Sequence, residues 1–214
     1  MERTRKDALV YCLPFTTWLG LMFMLPPTAL SYAVRSAVVL LVGGICLVLN
    51  HQSAIRNPQP AFRNSLAAGI LAGAIVCALW IGLPTWPFPE PAAPDPPPYA
   101  PTVCGWPLTI AKLVGSAFII APVEEVFFRS FLYRWLIKRD FRSVPLSTFD
   151  LSAFLWTILL FTLEHDRPVA AAITGAIYGL LAIKIGLGSA IAAHVTTNLL
   201  LGLHVIYHNA WQFW

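Results

Sequence analysis

Five ionisable side chains lie inside or beside long apolar segments of this 214-residue chain: Glu124, Glu125, Arg129, His165 and His194. Inserting an ionisable side chain into a bilayer costs about 2.5–3.5 kcal/mol, so such a residue is by default a candidate for function. Any chemistry that the chain performs is therefore expected to involve these side chains.

The two acids follow Pro122 after one intervening residue, Val123, and Arg129 comes four residues after Glu125. On a helix, Glu125 and Arg129 face each other in the favourable order and can neutralise one another. Glu124 points about 100° away from Glu125 and has no partner on its own helix. A lone carboxylate of this kind can act as a general base. Alternatively, both acids pair with Arg129 and only hold a bend.

The histidines introduce hydrogen-bonding groups from two further segments. His194 and Asn198 are four residues apart, so on a helix both side chains project from one face. Their N–H groups could stabilise an oxyanion. Alternatively, the pair could form hydrogen bonds that hold neighbouring membrane helices together. His165 comes one helical turn after Phe161 and is surrounded by charged residues, so it could equally be an interfacial histidine.

Taken together, a carboxylate, two histidines and an amide from three segments are the components of a water-activating hydrolytic site. Glu124, His165 and His194 are equally a set of oxygen and nitrogen ligands for a divalent metal such as zinc. The spacing of these residues does not separate the two chemistries.

The composition identifies the elements that must position these residues. Lys, Arg, Asp and Glu make up 11% of the chain and 57% of it is hydrophobic, whereas soluble domains carry about 25% charged residues. This excludes a soluble globular domain, a disordered chain and a disulfide scaffold. Because a helix needs about 20 apolar residues to cross a bilayer, we predict an all-α, polytopic transmembrane helical bundle of about seven spans, with limits of six and eight.

The predicted spans are the apolar segments 8–25, 31–49, 65–83, 107–137, 149–164, 168–183 and 188–207. The fourth is longer than one crossing and contains Pro122, which lacks an N–H group and clashes with the preceding turn. We therefore expect a proline-broken helix to carry the acidic motif, although one bent helix would also fit.

The basic residues indicate orientation because cytoplasmic loops are enriched in Lys and Arg. With seven spans, three basic residues (Arg35, Lys112 and Arg167) fall close to a membrane boundary on one side. The other side holds ten, which are Arg3, Arg5, Lys6, Arg56, Arg63, Arg134, Lys138, Arg139, Arg142 and Lys184. We predict an integral membrane protein with a cytoplasmic N-terminus and an external C-terminus.

A proline-rich stretch divides the chain into three parts. Residues 1–83 form three spans, 84–106 an external loop, and 107–214 a core that contains all the candidate site residues. So many prolines favour an extended, polyproline-like backbone without a helix. We expect this loop to be a stiff connector or a partial cover.

The chain resembles the CPBP intramembrane proteases in three ordered motifs: Glu124-Glu125-x-x-x-Arg129, Phe161-x-x-x-His165 and His194-x-x-x-Asn198. That family includes the type II CAAX prenyl endopeptidases and the Abi proteins linked to bacteriocin self-immunity. The stretch APVEEVFFRS at 121–130 is especially similar to the first motif, and the resemblance covers about 107–207. The length of the chain and its proline-rich loop are also similar to the CAAX-protease-related subgroup associated with bacterial exosortase systems. The resemblance therefore implies a location in the bacterial inner membrane.

The resemblance implies an intramembrane endopeptidase in which Glu124 and His165 activate a water molecule for attack on a peptide carbonyl. His194 and Asn198 would stabilise the oxyanion. The supporting residues are the other members of the motifs: Glu125, Arg129 and Phe161. Because asparagine is a poor metal ligand and suits an oxyanion role, the expected mechanism requires no cofactor.

The expected partners are the lipid bilayer and a membrane-associated peptide or protein substrate, lipid-modified or not. Nucleic acid is not expected, because the basic residues are dispersed. A non-catalytic scaffold or immunity-type protein would use the same motifs for helix packing. A small proton-coupled carrier is a third alternative, although the chain lacks the paired, interrupted-helix symmetry of such carriers.

Overall fold

The computed structural model describes residues 2–49, 62–89 and 92–214. This part of the chain contains no strand, and 79% of its residues are helical. It forms seven principal helices, which are α1 (Glu2–Met24), α2 (Ala29–Leu49), α3 (Phe62–Gly82), α4 (Trp106–Ile137), α5 (Leu151–Thr162), α6 (Pro168–Lys184) and α7 (Leu187–His208).

Each predicted apolar segment corresponds to one of these helices, but only five of these seven helices in the described part of the chain are long and apolar enough to cross a membrane. The exceptions are α5 and α6, with 12 and 17 residues. The protein is thus an all-helical integral membrane protein, while the count of seven spans is not confirmed. Its orientation stays a prediction, and Arg56 lies outside the described residues.

The long helix α4 runs past Pro122 without a break. A π-helical segment, Gly115–Ile120, precedes the proline and a second one, Val126–Leu132, follows the two acids. The expected break at Pro122 is therefore wrong. In the π-helical turns before the proline, backbone hydrogen bonds join residues five apart in place of four. This shift occurs where Pro122 has no N–H group to donate, so the helix continues through the proline.

Helix α7 lies at the centre of the bundle, against α3, α4 and α6. Its contact with α3 is close because Gly69 and Gly73 bring their backbone against α7, where Ala193 is fully buried. The Thr197 hydroxyl donates to the Gly73 carbonyl at 2.9 Å, and Tyr178 of α6 donates to Thr197 at 2.6 Å. Small residues and hydroxyl groups thus fix α7 between its neighbours, as is typical of membrane helices.

The proline-rich stretch between α3 and α4 packs onto the bundle in its described part. Pro101–Cys104 forms one helical turn that begins with the proline, so the expectation that this stretch contains no helix is wrong. Proline is tolerated there because the first N–H groups of a helix have no intrahelical partner. Tyr99 is buried, and its carbonyl accepts a hydrogen bond from Thr109 of α4 at 2.8 Å.

Candidate active site

All four residues of the predicted catalytic set line one cavity of about 220 Å³. Helix α4 contributes Glu124, the turn between α5 and α6 contributes His165, and α7 contributes His194 and Asn198. The structure therefore brings together side chains that are up to 74 positions apart in the sequence (198 − 124).

The short length of α5 explains how His165 reaches this cavity. By simple counting of full spans, His165 falls near one end of the bundle and Glu124 near its middle. A 12-residue helix rises only about 18 Å, well short of the ~30 Å hydrocarbon core, so its end can lie at the level of Glu124.

His165 has a defined tautomer. Its Nδ1 lies 2.8 Å from the Phe161 carbonyl oxygen. Because a carbonyl only accepts, Nδ1 carries a proton and donates it. Burial lowers the pKa of His165 to about 4, so the ring is neutral near pH 7. Its other nitrogen, Nε2, is then left with a free lone pair and can accept a proton or a hydrogen bond.

Glu125, Arg129 and His194 form a buried charged group behind the cavity. Glu125 is 0% and Arg129 is 2% exposed, and Arg129 Nε lies 3.3 Å from Glu125 Oε2. The other oxygen of Glu125 is 3.0 Å from His194 Nδ1. The predicted pairing of Glu125 with Arg129 is confirmed, and the structure adds His194 to it. The arrangement fixes the plane of the His194 ring.

Glu124 has a different environment from its neighbour. It faces the cavity, and its Oε2 atom has no hydrogen-bond partner among the described residues. The nearest charged partner of this oxygen is His194 Nε2 at 3.8 Å, which is too long for a hydrogen bond. Glu124 is therefore the carboxylate that is free to interact with a water molecule or a substrate.

Asn198 uses only part of its hydrogen-bonding capacity within the protein. Its Nδ2 atom donates to the carbonyl of Ser116 at 3.1 Å. That carbonyl belongs to the first π-helical segment of α4, so Asn198 links α7 to α4 close to Glu124. The side chain carries a second N–H that can donate into the cavity.

Phe161 supports both histidines. Its ring is 1% exposed and lies 4.5 Å from the ring of His165 and 6.2 Å from that of His194, measured between centroids. Arg129 also packs against this ring, with Cζ 4.8 Å from the ring centroid. The residue that begins the second motif thus contacts both histidine rings and the arginine of the buried charge pair.

The proposed metal ligands do not form a metal-binding group in this structure. Within residues 2–49, 62–89 and 92–214, no cluster of three or more His, Cys, Asp or Glu side chains is placed to hold a metal ion. Glu124, His165 and His194 line one cavity, but they do not converge on a common point.

Several residues of the cavity were not predicted as site residues: Trp80, Lys112, Thr174, Tyr178, Thr197 and Trp214. The Tyr178 ring lies 5.0 Å from that of His194, and nothing in the apolar segment 168–183 distinguishes it. Lys112 carried a signal, since it is a charge within an apolar segment. It was assigned to a membrane boundary, whereas its ammonium group lies over the ring of Tyr32, at 3.9 Å.

A family comparison covers the part of the chain that builds this site. The Rce1-like family model, described as type II CAAX prenyl endopeptidase Rce1-like, matches residues 106–200. The match begins at the first residue of α4 and includes all three motifs. No curated protein and no solved structure is significantly similar to the chain. The resemblance that the motifs indicated is confirmed by this match.

Proposed function

Because the model of the Rce1-like family of type II CAAX prenyl endopeptidases matches residues 106–200, we propose that this chain is a member of that family and an intramembrane endopeptidase. The substrate would be a membrane-associated peptide or protein, and the reaction hydrolysis of one of its peptide bonds. The observation that carries this proposal is the cavity in which Glu124, His165, His194 and Asn198 meet.

In the proposed reaction, Glu124 is the general base. Its unpartnered oxygen accepts a proton from a water molecule, and the water oxygen attacks the carbonyl carbon of the substrate. The neutral His165 ring orients this water through its free nitrogen. The C–N bond of the tetrahedral intermediate then breaks, and Glu124 returns the proton to the departing amine. The products are a new carboxyl terminus and a new amino terminus.

The oxyanion would be stabilised from α7. With His194 doubly protonated, Nδ1 donates to Glu125 and Nε2 donates into the cavity. Asn198 contributes its second N–H from the same helix face. Donors held in place before the reaction stabilise the developing charge without reorganisation, and removing one such donor typically lowers kcat by about 10²–10³-fold.

An apolar cavity on the other side of α4 suits a substrate with a lipid chain. It has a volume of about 350 Å³ and lies between α1, α2 and α4. Gly43 and Gly44 of α2 and Pro122 and Val123 of α4 are among its lining residues. The cavity is thus one residue away from Glu124 along α4, and it could hold a hydrocarbon chain while the attached peptide approaches the acid.

The proposal is tested by incubating the purified protein, reconstituted in lipid vesicles, with peptides that carry an S-farnesylcysteine and a randomised carboxyl-terminal segment. Mass spectrometry then identifies new termini. We expect the wild type to cleave the peptides and His194→Gln to lower kcat by about 10²-fold or more. The matched control, His208→Gln, changes an exposed histidine of the same helix and should leave kcat unchanged.

Absence of cleavage by a correctly folded wild type would contradict the proposal and favour a scaffold that uses the motifs for packing. Equal kcat values for His194→Gln and the wild type would contradict the role of α7 in the reaction. Circular dichroism and size-exclusion chromatography of each variant establish that the fold is retained.

A further inference from the structure

Tyr178 of α6 packs against the ring of His194, although it belongs to none of the three motifs. The centroids of the two rings are 5.0 Å apart, and their planes are inclined by 34°. Favourable aromatic contacts have centroids about 4.5–7 Å apart. The inclination is closer to a stacked pair than to an edge-to-face pair, so the tyrosine covers a face of the imidazole ring.

The hydroxyl group of Tyr178 holds the tyrosine ring in this position. It donates to the hydroxyl of Thr197 at 2.6 Å, and Thr197 donates to the carbonyl of Gly73 at 2.9 Å. The chain of hydrogen bonds joins α6, α7 and α3. Tyr178 is 0% and Thr197 is 2% exposed, so the tyrosine ring cannot swing away without leaving a buried hydroxyl unpaired, which is unfavourable.

The proposed oxyanion role requires the Nε2 atom of His194 to point in one direction. The hydrogen bond between Nδ1 and Glu125 Oε1, at 3.0 Å, holds one edge of the ring. Phe161 also contacts the ring, with centroids 6.2 Å apart and planes inclined by 75°. Of these two aromatic contacts, Tyr178 is the closer and the more nearly parallel. It is therefore the contact that resists tilting of the imidazole ring.

A small tilt of this ring matters because an oxyanion donor acts over a short distance. Such donors lie about 2.7–3.1 Å from the oxyanion. Since Nδ1 is tethered to Glu125, a tilt mainly displaces Nε2 of His194. A displacement of about 1 Å can lower the rate of an enzyme by about 10²-fold.

We propose that Tyr178 is a positioning residue for the oxyanion site, which holds the His194 ring so that Nε2 points into the cavity. This inference rests on the proposed endopeptidase function and adds a residue outside the three motifs to it. Because its exposed fraction is 0%, Tyr178 does not touch a substrate and acts through His194. The ring provides the contact, and the hydroxyl keeps the ring in place.

The first test measures cleavage of the S-farnesylcysteine peptides by variants at this position. Tyr178→Leu removes the ring and should lower kcat by about tenfold or more, while KM changes by less than about twofold. Tyr178→Phe retains the ring and should recover most of this loss. The matched control is Tyr207→Leu, which changes a tyrosine of α7 that is 83% exposed and should keep the wild-type kcat and KM.

A double variant separates positioning of His194 from a general loss of packing. In His194→Gln no imidazole is left for Tyr178 to hold, so adding Tyr178→Leu should lower kcat by less than about twofold more. Residues that act as one unit have non-additive effects, whereas independent effects multiply. A further loss as large as the loss in the wild-type background would overturn the inference.

Binding of a transition-state mimic gives a readout that does not depend on turnover. The probe is the cleaved S-farnesylcysteine peptide with its scissile bond replaced by a phosphinate, which presents a tetrahedral anion to the oxyanion donors. Tyr178→Leu should raise the Kd of this probe by about tenfold. The Kd of the matched ketomethylene peptide, which has an uncharged carbonyl at the same place, should change by less than about twofold. Equal changes in the two Kd values would contradict the positioning role.

The outcomes also separate this inference from the proposed function. If the wild type cleaves no peptide, the endopeptidase function itself fails. If the wild type cleaves and Tyr178→Leu keeps its kcat, the function stands and the inference is wrong. Equal losses in Tyr178→Phe and Tyr178→Leu would overturn the role given to the ring. Where size-exclusion chromatography shows that the leucine variant has lost its fold, Tyr178→Met takes its place, because methionine adapts to irregular space.

Discussion

At the scale of the residue, two neighbouring acids have separate tasks because a helix turns about 100° between them. Glu125 faces the protein, where Arg129 and His194 neutralise it, and Glu124 faces the cavity without a hydrogen-bond partner. The pairing of Glu125 with Arg129 was predictable from their spacing. The contact of Glu125 with His194 was not, because it joins residues 69 positions apart and depends on how α7 packs against α4.

This division predicts the effect of removing the arginine. In Arg129→Met, the carboxylate of Glu125 is left buried with His194 as its remaining partner, so the free energy of unfolding should fall by about 3 kcal/mol. The double variant Glu125→Gln, Arg129→Met should recover part of this loss, because it leaves no unpaired charge. Unfolding in a mixed detergent measures both values.

The control for this experiment is Arg139→Met, which removes an exposed arginine just after α4. If Arg129→Met is no less stable than this control, the buried pair does not hold α4 in place. The supporting role assigned to Glu125 and Arg129 would then be wrong.

At the scale of the element, apolar composition located the seven principal helices but did not determine their lengths or local geometry. Segment 149–164 was counted as a span, whereas the helix begins at Leu151, where the Asp150 side chain accepts the N–H of Ala153 at 2.8 Å. Likewise, Pro122 predicts a break in the helix, whereas two π-helical segments near the proline let the helix continue. The sequence pattern contains no signal for these segments. Both features depend on packing between helices.

The contact between α3 and α7 gives a test at this scale. A Cβ atom added at Gly73 would overlap the carbonyl oxygen of Ala193, the residue before His194. We expect Gly73→Ala to displace α7, to destabilise the protein by about 1–3 kcal/mol and to lower kcat by about 10²-fold. Thermal unfolding and peptide cleavage measure the two effects.

The same substitution at another glycine of α3 provides the control. A Cβ atom at Gly82 would meet no atom within 4 Å, so Gly82→Ala should change the free energy of unfolding by less than about 0.5 kcal/mol. Comparable losses of activity in the two variants would show that the close approach of α3 to α7 does not position His194.

At the scale of the whole molecule, charged residues are so scarce that each one inside the bundle is a candidate for function. Two groups that contain charged residues line one cavity, an acidic and histidine-rich group at Glu124 and a cationic, aromatic group at Lys112. The sequence indicated the first group through its three motifs. It did not indicate the second, because the aromatic partners of Lys112 come from α2, the proline-rich stretch and the carboxyl-terminal residue.

The most direct test of the central claim is the kcat of Glu124→Gln for cleavage of the S-farnesylcysteine peptides, compared with Asp140→Asn, an exposed acid that follows α4. If Glu124 is the general base of an intramembrane endopeptidase, its loss should lower kcat by about 10²–10⁴-fold with the fold retained, while Asp140→Asn keeps the wild-type rate. Cleavage by Glu124→Gln at the wild-type rate would contradict the account.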